Sequence, residues 1–357
     1  MPNNRVALLR ELIAKSAGSA LLVTHPINRR YLTGFTGSSG VVLISADHAA
    51  LLTDFRYKEQ APQQAVGFQI VEHGADVNIT IAELLSEWKV ETLLIEDQDV
   101  TFATYKKIEQ ALNPIKLLPS EGIVEKLRMV KDDSEIAIMQ EAADLADRTF
   151  EHILGFIKPG VSEKSIALEM EVFMRSQGAT SSSFDTIVAS GERSALPHGV
   201  ASDRIIGRDE FVKLDFGAYY NGYCSDITRT VVVGKPSDKH REIYEIVREA
   251  QQYALDHLTP GMTGKEGDAL TRDIIIKYGY GEYFGHGTGH GLGMEIHEAP
   301  RLSLTGGIVL TPGMTVTVEP GIYLPGFGGV RIEDDIVITD KGIRVLTSSP
   351  KQLIVLD

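Results

Sequence analysis

Three segments gather the side chains most able to do chemistry. In EFVKLDFGAYYNGYCSDITRTVVVG at 210–234, Asp215 and Asp226 interrupt runs that are otherwise apolar, although aspartate is disfavoured in strands. The Asn221-Gly222 pair between those runs is a hairpin signal. A two-residue turn pairs residues whose numbers sum to a constant, which sets Asp215 opposite Thr228 and Asp226 opposite Gly217. The two aspartates then share a face as diagonal neighbours, with Cα atoms about 7–8 Å apart, close enough for both carboxylates to hold one or two metal ions. In GEYFGHGTGHGLGMEIHEAP at 281–300, His286, His290 and His297 crowd together among five alternating glycines, which let the backbone come close to a ligand. Those glycines exclude a HExxH helix. The GTGHGL at 287–292 is no dinucleotide fingerprint, because neither a strand precedes it nor a helix pattern follows. In the third segment, Glu319 ends the strand-like TVTV before Pro-Gly, and GGVRIEDDIVIT at 328–339 places Arg331, Glu333 and Asp335 on one face of a strand. Carboxylates in such apolar surroundings need partners, and Arg331 is one at hand.

Asp215, Asp226, His290, Glu319 and Glu333 together make four carboxylates and one imidazole. That set suits two divalent ions about 3.5–4 Å apart bridged by carboxylates. Hard oxygen donors favour Mn²⁺-like ions over a thiolate zinc site. Two such ions would carry the formal charge of the chain from −14 to −10.

The elements that must position these residues fall into two regions. At roughly 100–200 residues per domain, 357 residues predict two domains or three. Up to about residue 111, helical segments (5–16, 56–65, 79–88, 101–111) alternate with apolar extended ones (20–23, 40–45, 50–54, 68–72, 92–95), as in an α/β domain with a parallel or mixed sheet. NPIKLLPSEG at 113–122 is rich in turn formers, and a linker helix is expected within 121–131. The boundary is set at 125/126. Beyond it, helix 133–155, a second helix to about 177 and the hairpin are followed by helix 238–257, a second helix to about 278 and strands within 315–338. Pro-Gly-x-[Ser/Thr]-x-Lys recurs at 159–164 and 260–265, so the second domain reads as two similar halves. TPGMT also occurs at 311–315, where it introduces a strand.

Composition narrows the function. Acidic residues outnumber basic ones 49 to 35, which disfavours nucleic acid and anionic membranes as partners. The lone Cys224 precludes an intrachain disulfide, and neither a signal peptide nor an apolar run of membrane-spanning length is present, so a cytoplasmic protein is expected.

Asp215 and Asp226, HGTGHGLG at 286–293, EPG at 319–321 and RIEDD at 331–335, in that order, resemble the pita-bread metallopeptidases. Within them the chain is similar to the aminopeptidase P and prolidase branch, which cleaves the bond before proline, and the resemblance extends over the whole chain. It implies a creatinase-type N-terminal α/β domain (1–125) and an α+β pita-bread catalytic domain (126–357) with an internal pseudo-two-fold repeat. It also implies that Asp215 holds one metal, Asp226 and Glu333 bridge both, and His290 and Glu319 hold the other. A hydroxide between the ions would be the nucleophile, with Glu319 handling its proton. His198 (in LPHG at 196–199) and His297 would be catalytic and substrate-binding, with His286 and Arg331 also on the substrate side. Two Mn²⁺ ions are expected, with Co²⁺ or Zn²⁺ as alternatives, short proline-containing peptides as substrates and a homodimer as the assembly. A creatinase-like or non-catalytic protein on the same fold is the alternative, and the complete ligand set argues against it.

Overall fold

The structure is a computed structural model that describes residues 2–357. By contacts it divides into two compact units, Met1–Arg128 and Met129–Asp357. The division falls just after the expected boundary at 125, because the helix Ile123–Arg128 stays with the first unit, where Arg128 donates to the Asn28 side chain.

The first unit is built on a six-stranded mixed sheet ordered Gln69–Glu72, Ala49–Thr53, Val41–Ser45, Ala20–Val23, Thr92–Ile95 and Lys116–Pro119. Ala20–Val23 is buried on both faces, so its sequence is a continuous apolar run with no alternation. The helices Val77–Glu87 and Phe102–Leu112 pack Ile81, Leu84, Leu85, Ile108 and Leu112 against that sheet. Two features depart from the sequence reading. The segment 56–65 is a 3₁₀ turn, Phe55–Tyr57, followed by the short helix Gln60–Gln64. The turn-rich 113–122 contains the strand Lys116–Pro119, which takes a sheet edge, where a proline removes no needed ladder bond.

The second unit carries the repeat. In each half a long helix (Asp133–Leu154, Asp238–His257) precedes a shorter one (Glu163–Ser176, Gly264–Lys277). The repeated Pro-Gly-x-[Ser/Thr] starts the shorter helix each time. Gly160 and Gly261 sit at φ 91° and 93°, and Ser162 and Thr263 are N-caps whose hydroxyls accept from the third backbone N–H of the helix. The two turns are anchored to the chain ahead in matching ways: Gly160 N–H donates to Ile206 O, and Gly261 N–H to Leu310 O. The first half packs its helices on a four-stranded sheet that includes Glu210–Phe216 and Ile227–Val233, with Phe150, Met170, Leu214 and Val231 in the core. The second half has a five-stranded sheet: Glu298–Leu302, Gly289–Gly291, Thr315–Val318, Asp334–Thr339 and Gly342–Val345.

The hairpin register is the expected one. Asp215 pairs with Thr228, and Tyr220 with Tyr223 across the turn. It is nonetheless bent into two sheets at Gly217 and Asp226. A Cβ on Gly217 would lie 1.7 Å from Ser225 O, so only glycine allows the crossing that turns Asp226 inward. The expected single strand through RIEDD is likewise two strands, Gly328–Arg331 and Asp334–Thr339, broken at Ile332–Glu333.

Candidate metal centre

All nine residues singled out in the sequence line one cavity of about 590 Å³. Asp215 comes from the end of the first hairpin strand and Asp226 from the bend before the second. His290 lies on Gly289–Gly291, Glu319 directly follows Thr315–Val318, and Glu333 occupies the strand break. His198, His286, His297 and Arg331 complete the set.

The donor atoms converge. Single atoms of Asp226, His290 and Glu333 lie within 4.8 Å of one another. His290 Nε2 stands 3.5 Å from Asp226 Oδ2 and 3.5 Å from Glu319 Oε1. That is long for a hydrogen bond, but two donors each about 2.0–2.2 Å from one ion are spaced in just this range. His290 Nδ1 is 3.1 Å from Gly291 O, a contact that leaves Nε2 facing the carboxylates. Burial drives the imidazole down to about 3, with His297 adding to the effect, so the ring is neutral as a ligand must be.

Burial and mutual repulsion shift the gathered carboxylates toward their protonated forms. Burial pushes Asp226 and Glu333 well above the ordinary range, reinforced by Glu333 and Asp215 for the first and by Glu319 and Asp215 for the second. Burial raises Glu319 to about 7 against the pull of Arg331. Asp226 Oδ1 is buried without a hydrogen-bond partner. A buried acceptor with nothing to accept is costly, and a metal ion would satisfy it. The residues present therefore fit divalent ions.

A second set of groups holds the donors. Thr228 Oγ1 donates to Glu333 Oε2 at 2.5 Å, and Asp335 Oδ2 accepts from Asp226 N–H at 2.8 Å. Arg331 pairs with Asp215 and donates to Tyr323 OH at 2.8 Å, while His286 Nε2 lies 2.7 Å from the same hydroxyl. Burial lowers His286 to about 4. Behind the strand break, Arg229 donates to Glu333 O and pairs with the buried Asp334. Lys131 and Glu298 form a buried ion pair at 3.0 Å, and Glu298 Oε1 accepts from Glu295 N–H, bracing the loop that presents His297.

The glycines of 285–293 act differently from the sequence reading. They chiefly admit neighbouring strands, and the ligand-facing role is confined to Gly287 and Gly289, which line the cavity. A Cβ on Gly289 would lie 1.9 Å from Thr317 O, and one on Gly291 would lie 2.3 Å from Ala299 O.

The sequence reading missed Arg301, Lys213 and Tyr323. Arg301 lines the cavity four residues beyond His297. Lys213 shares the alternation of Asp215 in FVKLDF, the same signal that marked the aspartate. Tyr323 is the second residue after EPG and shows no sequence signal beyond its nearness to Glu319.

A cavity walled by convergent carboxylates and histidines, on a domain of two repeated halves, defines a metal-dependent hydrolase site. Residues 137–340 match metallopeptidase family M24, and residues 5–130 match the creatinase/prolidase N-terminal domain. The chain belongs to metallopeptidase family M24, and the resemblance, the fold class and the enzyme class read from the sequence hold. It is similar to the Xaa-Pro dipeptidase of Pyrococcus furiosus, at 40% identity over 98% of this chain and 99% of that one. Among solved structures it superposes on a Xaa-Pro dipeptidase from Bacillus anthracis with a TM-score of 0.98, at 55% identity and full coverage of both chains. An X-Pro aminopeptidase from Thermotoga maritima gives a TM-score of 0.92 at 39% identity, covering 97% of this chain and all of that one.

Proposed function

We propose that the chain hydrolyses the peptide bond preceding proline, with two divalent ions held by Asp215, Asp226, His290, Glu319 and Glu333. The observation that carries this reading is the convergence of those five donors, with an orphaned buried oxygen on Asp226, in one cavity. Asp226 and Glu333, braced by Asp335 and Thr228, are assigned as the bridging carboxylates. Asp215 would hold one ion, and His290 with Glu319 the other. Mn²⁺ is the ion that this oxygen-rich set favours. The ions, when bound, polarise the scissile carbonyl and activate water.

The chain's own groups supply the rest. Glu319 faces the cavity with Oε1 accepting from Thr317 Oγ1, and it is assigned to carry a proton between the attacking water and the leaving nitrogen. His297 is pushed down by loss of surrounding water and by Arg301, so it is a neutral donor available to the developing oxyanion. His198 is exposed on the cavity wall and is assigned to contact substrate. Arg331 orients Asp215 and, through Tyr323, His286. Phe184, Ile187, Pro197 and Val200 give the cavity an apolar side suited to a pyrrolidine ring.

The dipeptidase form of the activity is favoured by Arg301, a guanidinium on the cavity wall that can pair with the free carboxylate of an Xaa-Pro dipeptide. A homodimer is proposed on family grounds alone, and light scattering tests it. No helix among the described residues is long and apolar enough to cross a membrane. The test of function is hydrolysis, with Mn²⁺ present, of an Xaa-Pro dipeptide, an Xaa-Pro-Xaa tripeptide and an Xaa-Ala dipeptide. The expected order is Xaa-Pro fastest and Xaa-Ala slower by about 10²-fold. Faster cleavage of the tripeptide would make the chain an aminopeptidase, and equal rates on Xaa-Pro and Xaa-Ala would overturn proline selectivity.

A further inference from the structure

Lys213 is an anomaly in this molecule. It lies in the centre of the hairpin strand Glu210–Phe216 and is 0% exposed. Among the described residues no carboxylate forms an ion pair with it. An ammonium buried without an anion is expensive, so other groups must offset the cost. Nζ donates to Leu196 O at 2.6 Å and lies 3.4 Å from Pro197 O. It also sits 5.0 Å from the centre of the Tyr323 ring, whose π face attracts a cation.

Those two carbonyls belong to one turn. Gly199 N–H donates to Leu196 O, which makes Leu196–Gly199 a β-turn with Pro197 and His198 at its corners. The turn has no strand or helix of its own to fix it. The chain before it is clamped where Ser194 Oγ accepts from Gly329 N–H, and the chain after it where Glu163 accepts from Ser202. Beyond the turn, Arg193 donates to Val200 O and Ala201 N–H donates to Thr186 O. At the turn itself, the side chains that reach the backbone are Lys213, on Leu196 O and Pro197 O, and Arg331, on Pro197 O at 3.2 Å. The His198 imidazole makes no hydrogen bond within the described residues, so its position is inherited from its backbone.

We infer that Lys213 is a positioning residue, which holds the Leu196–Gly199 turn so that His198 projects into the cavity. The inference rests on the reading of His198 as a substrate contact. A buried amine spent on two main-chain carbonyls is explained if the turn must be placed to a fraction of an ångström, since catalytic groups lose rate steeply when displaced.

The experiment is a double-mutant cycle in the full-length, Mn²⁺-loaded protein. Lys213→Met keeps the length of the side chain and removes the donor. With the unaltered His198, Lys213→Met is expected to lower kcat/KM for an Xaa-Pro dipeptide by about tenfold or more, with metal content and Tm unchanged. With His198→Ala it is expected to cost less than about twofold, because the group it positions is gone. Lys213→Gln retains an N–H donor and is expected to keep more activity than the methionine variant. It takes the place of Lys213→Met in the cycle if that variant does not fold. Equal losses in both backgrounds, or no loss with His198 present, would overturn the inference. If His198→Ala alone left activity intact, the proposed route would fall, while metal-dependent hydrolysis by the unaltered protein would stand as a separate result.

Discussion

His290 and His297 face each other edge to face, with ring centres 4.5 Å apart, yet their surroundings give them different work. His290 is buried, turned by its Nδ1 contact, and aimed at Asp226 and Glu319. His297 and His198 are exposed on the cavity wall. His290→Ala is therefore expected to lower both metal content and activity. His198→Ala and His297→Ala are expected to keep their metals and lose turnover, by about 10²–10³ for loss of a donor to the developing charge. Elemental analysis and kinetics on the same samples separate the two. An empty site in His297→Ala, or a full and active one in His290→Ala, would reverse the assignment. Among the carboxylates, Asp226→Asn and Glu333→Gln should cost more than Asp215→Asn, since each of Asp226 and Glu333 is proposed to supply a charge shared by both ions. The carboxylates proposed as ligands stand out in the sequence because carboxylates inside apolar strands demand a reason. Lys213 carries the same contrast, but an ammonium among acidic neighbours suggests an ion pair, and its true partners are carbonyls that no sequence pattern marks. Arg301 carries no contrast at all, because an arginine on the exposed side of the edge strand Glu298–Leu302 is unremarkable until the cavity shows where it points.

At the scale of elements, the proposed metal-binding residues depend on strands that approach more closely than side chains usually permit. Gly289–Gly291 lies against Thr315–Val318, and His290 N–H donates to Thr317 Oγ1 at 3.1 Å. A Cβ at Gly289 would meet Thr317 O at 1.9 Å, whereas one at Gly285 would meet nothing within 4 Å. Gly289→Ala should therefore separate the strands, lower Tm by the equivalent of about 1–3 kcal/mol and weaken metal retention by displacing His290. Gly285→Ala should leave both near their original values. Thermal unfolding with metal analysis checks the pair, and an unaffected Gly289→Ala would show that the approach is not required. Sequence patterning locates the long helices closely, because caps such as Asp132 and Ser237 and a 3.6-residue apolar period act locally. It also sets the hairpin register through Asn221-Gly222. It does not show the bend at Gly217, the break at Ile332–Glu333 or the edge strand Lys116–Pro119, since each is decided by chain far away in sequence.

For the molecule as a whole, the clustered carboxylates link metal, protons and stability. Glu319 is raised from an ordinary 4.5 to about 7 by burial. Between those values the folded, metal-free protein holds a proton that the unfolded chain has released, so its stability falls as pH rises through that window. Asp226 and Glu333, also raised by burial, act with the same sign. Bound divalent ions replace those protons. The rise in Tm on adding Mn²⁺ to stripped protein should therefore be larger near about pH 8 than near about pH 5. A rise independent of pH would mean that the carboxylates are not where metal and protons compete.

The proposed function makes hydrolysis by this chain depend on five donors holding two ions. That dependence is tested by turnover of an Xaa-Pro dipeptide by protein stripped with a chelator and then titrated with Mn²⁺, with bound metal counted at each step. No turnover is expected in the stripped protein, and activity should rise with bound metal to a plateau at about two ions per chain. Full turnover by the stripped protein, or saturating metal binding that restores none, would contradict it.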